Sequence, residues 1–174
     1  MVARRSVLIA AAGFGASAGL LAATPALATP ARESGTWRID ASRSSFSDGT
    51  FPPNMSLTID MTLRDTRIVY SSVNDTNKDR PPMLTNWEAS LDGMVGPLNE
   101  SARFNQISVL RLNPMEYRVL KMKDGDVIVG EFWTFMADER TLLRRGVCKN
   151  MQGRSRAFEE YFLRIGPAAK TAGA

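Results

Sequence analysis

Two carboxylates, an arginine and a tyrosine carry most of the polar chemistry that the strand-like stretches of this chain offer: Glu131, Glu160, Arg144 and Tyr117. The chain has no histidine and one cysteine, Cys148. Serine or cysteine triads built on imidazole are thereby excluded, as are His-ligated zinc, copper, iron and axial haem sites. A single cysteine allows no internal disulfide. Acid–base work falls to Asp, Glu, Tyr, Lys or Arg-assisted water. Asp124 and Asp126 flank Gly125, but one turn gives too few oxygens for calcium, so no metal and no cofactor is expected. Cys148 reads as a small buried hydrophobe rather than a reactive thiol.

A hairpin turning at Asp138-Glu139 sets Phe135 opposite Leu142 and Trp133 opposite Arg144, with Glu131 on the same face across from Gly146. A charge inside a protein is costly unless paired, so an arginine among carboxylates on an inward face would be a site candidate. A one-residue slip turns the same charges into solvent. A two-residue turn at Asp124-Gly125 predicts that opposite face for residues 127–136. The two hairpins therefore conflict unless a bulge intervenes.

The elements that must hold these groups are short strands. Met55, Leu57, Ile59, Met61 and Leu63 alternate with polar residues, the period of a half-buried strand. Further runs fall at about residues 68–74, 84–91, 107–112, 117–122, 127–136, 142–149 and 158–165. Asp92-Gly93, Asn113-Pro114, Asp124-Gly125, Asp138-Glu139 and Gln152-Gly153 supply turn chemistry between them. Residues 74–82 read as a loop, and one helical turn fits residues 41–45. Nothing after residue 35 shows a helical stripe. The pattern predicts an all-β, up-and-down antiparallel barrel of eight to ten strands, closure being the natural way to remove sheet edges; a β-sandwich is the alternative. Trp87, Tyr70 and Tyr117 read first as core or barrel-end residues with bonded polar tips, and second as pocket lining.

Gly35-Thr36-Trp37-Arg38-Ile39-Asp40, followed by residues 41–46 ending in Ser45-Phe46, resembles the opening of small bacterial exported lipocalin-like domains of mostly unknown function. These typically begin Gly-Thr-Trp-Lys-Leu-Asn and continue Ala-x-Ser-x-Phe. The likeness continues at Leu91-Asp92-Gly93 with Gly96-Pro97, at Lys123-Asp124-Gly125 and at Met151-Gln152-Gly153. The resemblance implies a calycin-type barrel with a ligand cavity, Trp37 closing one end under Arg164. The family's apolar positions add Phe158, Glu160 and Phe162 to the inward face. Arg144, Arg145, Glu159 and Glu160 depart from the small or apolar residues usual on its last two strands.

At the N-terminus, Arg4 and Arg5 precede an apolar run over residues 7–23, and Pro25 precedes Ala26-Leu27-Ala28. Charge, apolar core and small-x-small site in that order predict a signal peptide over residues 1–28. The run is short of the ~20 residues that span a bilayer, so no stable membrane anchor is expected after cleavage. Arg4-Arg5 with Ser6-Val7-Leu8 resembles a twin-arginine signal, with Val where Phe is commonest. The expected location is periplasmic or secreted. Removing 28 of 174 residues leaves 146, enough for one domain (residues 29–166) and a small-residue tail (167–174). The formal charge of +4 includes Arg4 and Arg5, so the mature chain carries about +2, too little to argue for nucleic acid.

These features predict a barrel that binds a small, largely apolar molecule, with Trp133, Arg144, Phe135, Phe158 and Phe162 as its contacts. An enzyme without metal or histidine is the alternative: an isomerase, cyclase, hydratase or lyase. Glu160 or Glu131 would be its acid or base, Arg144 its electrostatic stabiliser and Tyr117 its proton donor. A filled barrel that uses an outer face is a third reading.

Overall fold

A computed structural model describes residues 33–98, 103–150 and 152–167. Residues 1–28, where the signal peptide is expected, lie outside them, as does all of the expected tail but Pro167. Ten strands follow one another: β1 (Gly35–Phe46), β2 (Leu57–Leu63), β3 (Arg67–Asn74), β4 (Met83–Ser90), β5 (Asp92–Pro97), β6 (Gln106–Asn113), β7 (Glu116–Lys123), β8 (Asp126–Phe135), β9 (Thr141–Lys149) and β10 (Ser155–Gly166). They form one antiparallel sheet in the order β4-β3-β2-β1-β10-β9-β8-β7-β6-β5, nearly closed into a barrel.

Strands β1 and β10 close the chain ends onto each other. The seam lies where β4 passes into β5, and one residue spans it. The Leu91 N–H donates to the Thr66 carbonyl at 2.9 Å, and the Leu91 carbonyl accepts from the Arg111 N–H at 3.0 Å. A single bent segment thus pairs first with β3 and then with β6, leaving little open edge.

Alternation along each strand sends one set of side chains inward. Trp37 and Ile39 from β1, Ile59, Met61 and Leu63 from β2, and Ile107 and Val109 from β6 are all buried in one cluster. This core fills the end of the barrel marked by Trp37. There Phe135 meets Trp37 edge-on at 5.4 Å and Tyr117 at 5.8 Å. The Arg164 guanidinium lies 4.3 Å above the Trp37 ring, held by hydrogen bonds to the Ser34 and Glu139 carbonyls.

Two irregularities decide what faces inward. The turn at Asp124-Gly125 has φ of 51° and 85°, the left-handed pair of a two-residue hairpin. Lys123 pairs Asp126 and Met122 pairs Val127, but Lys121 pairs Val129. Ile128 is the extra residue of a β-bulge, and it reverses the parity of everything after it. The conflict between the two hairpins is resolved in that one step.

The second irregularity corrects the expected helical turn at residues 41–45. These residues belong to β1, which bulges outward between Asp40, paired with Tyr161, and Ser45, paired with Glu159. Ser42 donates to the Asp40 carboxylate, and Ser44 donates to the Asp40 carbonyl while accepting from the Tyr161 N–H. Serine hydroxyls satisfy the backbone that the strand leaves unpaired.

Candidate functional site

The pairing of β8, β9 and β10 builds the site. Trp133 lies opposite Arg144, Glu131 opposite Gly146, and Arg144 opposite Glu160. With Ile128 bulged, all of these point inward. Glu131 is fully buried, and Arg144 and Glu160 are 6% and 8% exposed.

Glu131 is the anchor of the cluster. Arg144 donates to its Oε2 from Nε at 3.1 Å and from Nη2 at 2.9 Å. Lys121 of β7 places Nζ 2.9 Å from Oε1. Burial alone would raise the Glu131 carboxyl; the two cations outweigh it and hold the value down at about 2. Glu160 is held less firmly, its Oε2 standing 3.5 Å from Arg144 Nη2. Burial raises its carboxyl, opposed by Arg144 and reinforced by the charge of Glu131. Burial works against the charge of Arg144, but Glu131, Glu160 and Tyr70 more than compensate and keep the guanidinium ionised.

Aromatic rings fix the guanidinium in place. Its Cζ is 5.4 Å from the Trp133 ring centroid and 5.3 Å from that of Phe162. Glycine at position 146 makes the arrangement feasible, since a Cβ there would run into the Gly130 carbonyl oxygen and the Glu131 Cα. Any larger residue would push β8 and its buried carboxylate away.

Toward the end opposite Trp37, the barrel opens into a cavity of about 290 Å3. Arg144 and Glu160 form part of its wall, with Phe158 and Cys148 beside them. Tyr70 and Trp87 contribute a flat aromatic plate, stacked 4.5 Å apart and 12° from parallel. Ser72, Asn74 and Thr85 add short polar groups along β3 and β4. A wider groove of about 460 Å3 lies outside the barrel against Phe132, Arg145 and Val147. It is an open surface depression, whereas the inner cavity meets the buried ionic cluster.

The residues singled out in the sequence divide between the two ends. Glu131, Trp133, Arg144, Glu160 and Phe162 come together; Arg144, Glu160 and Phe158 line the cavity, whereas Trp133 and Phe162, expected as ligand contacts, pack against Arg144 and are not part of its wall. Tyr117 and Phe135 do not join them: both pack at the closed end, where Arg111 Nε donates to the Tyr117 hydroxyl at 3.2 Å. Burial raises the Tyr117 hydroxyl further from any role as an acid. Trp37 and Arg164 lie together at that same end.

Lys121 escaped sequence reasoning, although it is the second cation on Glu131. Its inward position is legible from its alternation with Tyr117 and Val119 in β7. Its reach to Glu131 depends on the bulge at Ile128. Arg103 and Arg156, on the cavity wall nearer the mouth, carried no signal at all.

Among the described residues no group of acidic, cysteine or histidine side chains could hold a metal ion. No protein-family model matches the chain, and no curated protein sequence matches it either.

Proposed function

We propose that this chain is an exported lipocalin-like barrel that holds a small, largely apolar molecule in its interior. The observation that carries the reading is the hollow end: a cavity walled by a stacked Tyr70–Trp87 plate and floored by a buried ionic cluster. Its volume lies near the lower end of ligand pockets, which span roughly 300–1,000 Å3, and its mix of apolar wall and few polar groups is typical of them. A barrel serving only as a scaffold has no need of that space, since a filled core is more stable. Export rests on the residues of the N-terminus, and the likeness to bacterial exported domains supports it.

Native mass spectrometry of the chain purified from its host, together with a thermal-shift screen of small apolar compounds, tests the reading. A retained small molecule, or a rise in Tm with compounds that fill the cavity, is the expected result. Protein that carries nothing and gains no stability from any compound overturns it.

One observation favours catalysis as a second reading. Glu160 combines a raised carboxyl, cavity access and an adjacent fixed guanidinium, the equipment of a general acid beside an electrostatic stabiliser. On that reading Glu160→Gln preserves binding and abolishes turnover; loss of binding with no turnover to lose refutes it.

A further inference from the structure

Every charged side chain on the wall of the cavity already has a partner. Lys121 and Arg144 are met by Glu131, and Arg144 again by Glu160. Arg156 lies 3.7 Å from Asp48 and donates to the Thr50 hydroxyl, and Arg103 donates to the Lys149 carbonyl. The atoms in and behind this wall that lack a hydrogen bond are donors and acceptors alike: Arg144 Nη1, Arg156 Nε and Trp87 Nε1, Glu131 Oε1 and Glu160 Oε2. All five are sealed from the cavity, so none can receive an occupant. The unengaged polar side chains of the wall are uncharged, foremost Ser72 and Thr85. These form a cross-strand pair on β3 and β4, one step nearer the mouth than the Tyr70–Trp87 pair. Among the described residues neither hydroxyl makes a hydrogen bond, and neither is sealed from the cavity.

From this geometry we infer that the occupant of the cavity is an uncharged, flat aromatic molecule bearing a hydroxyl group, its rings against Tyr70 and Trp87 and its hydroxyl at the Ser72–Thr85 pair. The inference rests on the reading of the cavity as a ligand site and names the ligand's chemistry. A charged ligand would leave water for a wall whose charges are spent on one another, and burying an unpartnered ion is far costlier than burying a neutral group. The Lys121–Glu131–Arg144–Glu160 cluster thus serves as a floor of matched charge. Rings suit the rest of the wall, where Phe46, Phe104 and Phe158 join Tyr70 and Trp87. A hydroxyl both donates and accepts, as those of Ser72 and Thr85 do, so the three can satisfy one another. Two residues along a strand rise about 7 Å, which places the Ser72–Thr85 pair within reach of a two-ring body held at the aromatic pair.

Four probes of one shape separate the possibilities: naphthol, naphthalene, naphthoic acid and naphthylmethylammonium. Each is titrated into the purified chain at neutral pH, with calorimetry and thermal shift as readouts. Naphthol is expected to bind about tenfold or more tighter than either charged probe, because each of those buries a charge without a partner. It should bind about threefold to tenfold tighter than naphthalene, the size of one neutral hydrogen bond. Ser72→Ala combined with Thr85→Val removes both hydroxyls with little change of shape. The double variant should bring naphthol to within about twofold of naphthalene and leave naphthalene affinity equal or higher.

A charged probe that binds as tightly as naphthol, or naphthalene that does so, overturns the inference while leaving the cavity reading intact. A preference for naphthol that survives the double variant overturns it too. Binding of none of the four overturns the inference, and the cavity reading falls with it when the wider compound screen is also blank. Where the double variant fails to fold, the wild-type series and the near-isosteric Thr85→Val, which should itself narrow the gap between naphthol and naphthalene, still decide.

Discussion

Replacing Glu131 by glutamine keeps the outline of the side chain and removes the charge on which Lys121 and Arg144 converge. The cost follows from the environment of the carboxylate. Its value falls from 4.5 to about 2 on folding, and each unit is worth about 1.4 kcal/mol, so ionised Glu131 contributes about 3 kcal/mol to stability. Breaking a buried ion pair from one side costs about 3–5 kcal/mol in general. The lower figure is favoured here because a partial substitute stands ready: Glu160 is 3.5 Å from Arg144, and removal of Glu131 lifts a repulsion that adds to burial in raising its carboxyl. A loss of about 3 kcal/mol in a domain of this size corresponds to a Tm lower by on the order of 10 °C.

The pH dependence follows from the sign of the shift. The folded value lies below the unfolded one of 4.5. The contribution is therefore complete above that value and is lost as pH falls through about 2. Urea unfolding followed by near-ultraviolet circular dichroism should show wild type ahead of Glu131→Gln at pH 7, with the gap nearly closed by pH 2. A gap under about 0.5 kcal/mol at neutral pH, within the range of an ordinary surface substitution, would refute the reasoning. So would a full gap that persists in acid.

Glu160 has the opposite sign: its folded value is raised, so its stabilisation is present below the unfolded value and is lost as pH rises through the folded one. Wild type should lose urea resistance relative to Glu160→Gln on going from acid toward alkaline pH, and parallel pH profiles of the two proteins would contradict this. Gly146→Ala should cost about 1–3 kcal/mol by overpacking β8 against β9, measurable as a lower urea midpoint; an unchanged midpoint would mean that the strands part freely. Arg164→Ala removes the cation over Trp37 and two carbonyl hydrogen bonds. It should cost about 1–2 kcal/mol, measured as a lower urea midpoint, and an unchanged midpoint would contradict the role of Arg164 in holding that end shut. Substituting lysine for both Arg4 and Arg5 preserves their charge and should strand the precursor inside the cell, whereas wild type, sequenced after export, should begin at Thr29.

Much of the barrel was legible because alternation and turn chemistry agree over most of the chain. Residues 55–63 alternate so regularly that a strand is the only comfortable reading, and Asp124-Gly125 can do little but turn. The Trp133–Arg144 register followed from the length of the 136–141 connection alone. Two strands were hidden. The second half of β1 is a run of small polar residues whose serines bond their own backbone, so no apolar stripe marks it. In β5 the Asp92-Gly93 pair is turn-like: Gly93 has φ of 85° and the Met94 N–H donates to the Asp92 carboxylate. The strand nonetheless resumes at Val95 opposite Ser108. The cluster itself hung on Ile128, since bulging costs one ladder position and the β-branched side chain gives no sign of it. A barrel with the same hairpins and no bulge would put Glu131 and Trp133 in water.

Unsatisfied donors alone would not single out the cavity, because Trp37 Nε1 at the closed end is also buried without an acceptor. What distinguishes the two ends is what surrounds the orphan. Around Trp37 the packing is apolar and Arg164 turns its charge outward to the Ser34 and Glu139 carbonyls, so that end behaves as core. Around Arg144 the protein maintains a buried guanidinium, a buried carboxylate and a lysine in place of apolar residues that would often be as stable or more so. Stability gives little reason to keep such a group, and less to keep it at the wall of a cavity. The arrangement makes physical sense when an occupant of the cavity uses it, which is why retention of a small molecule is the property of this barrel to measure first.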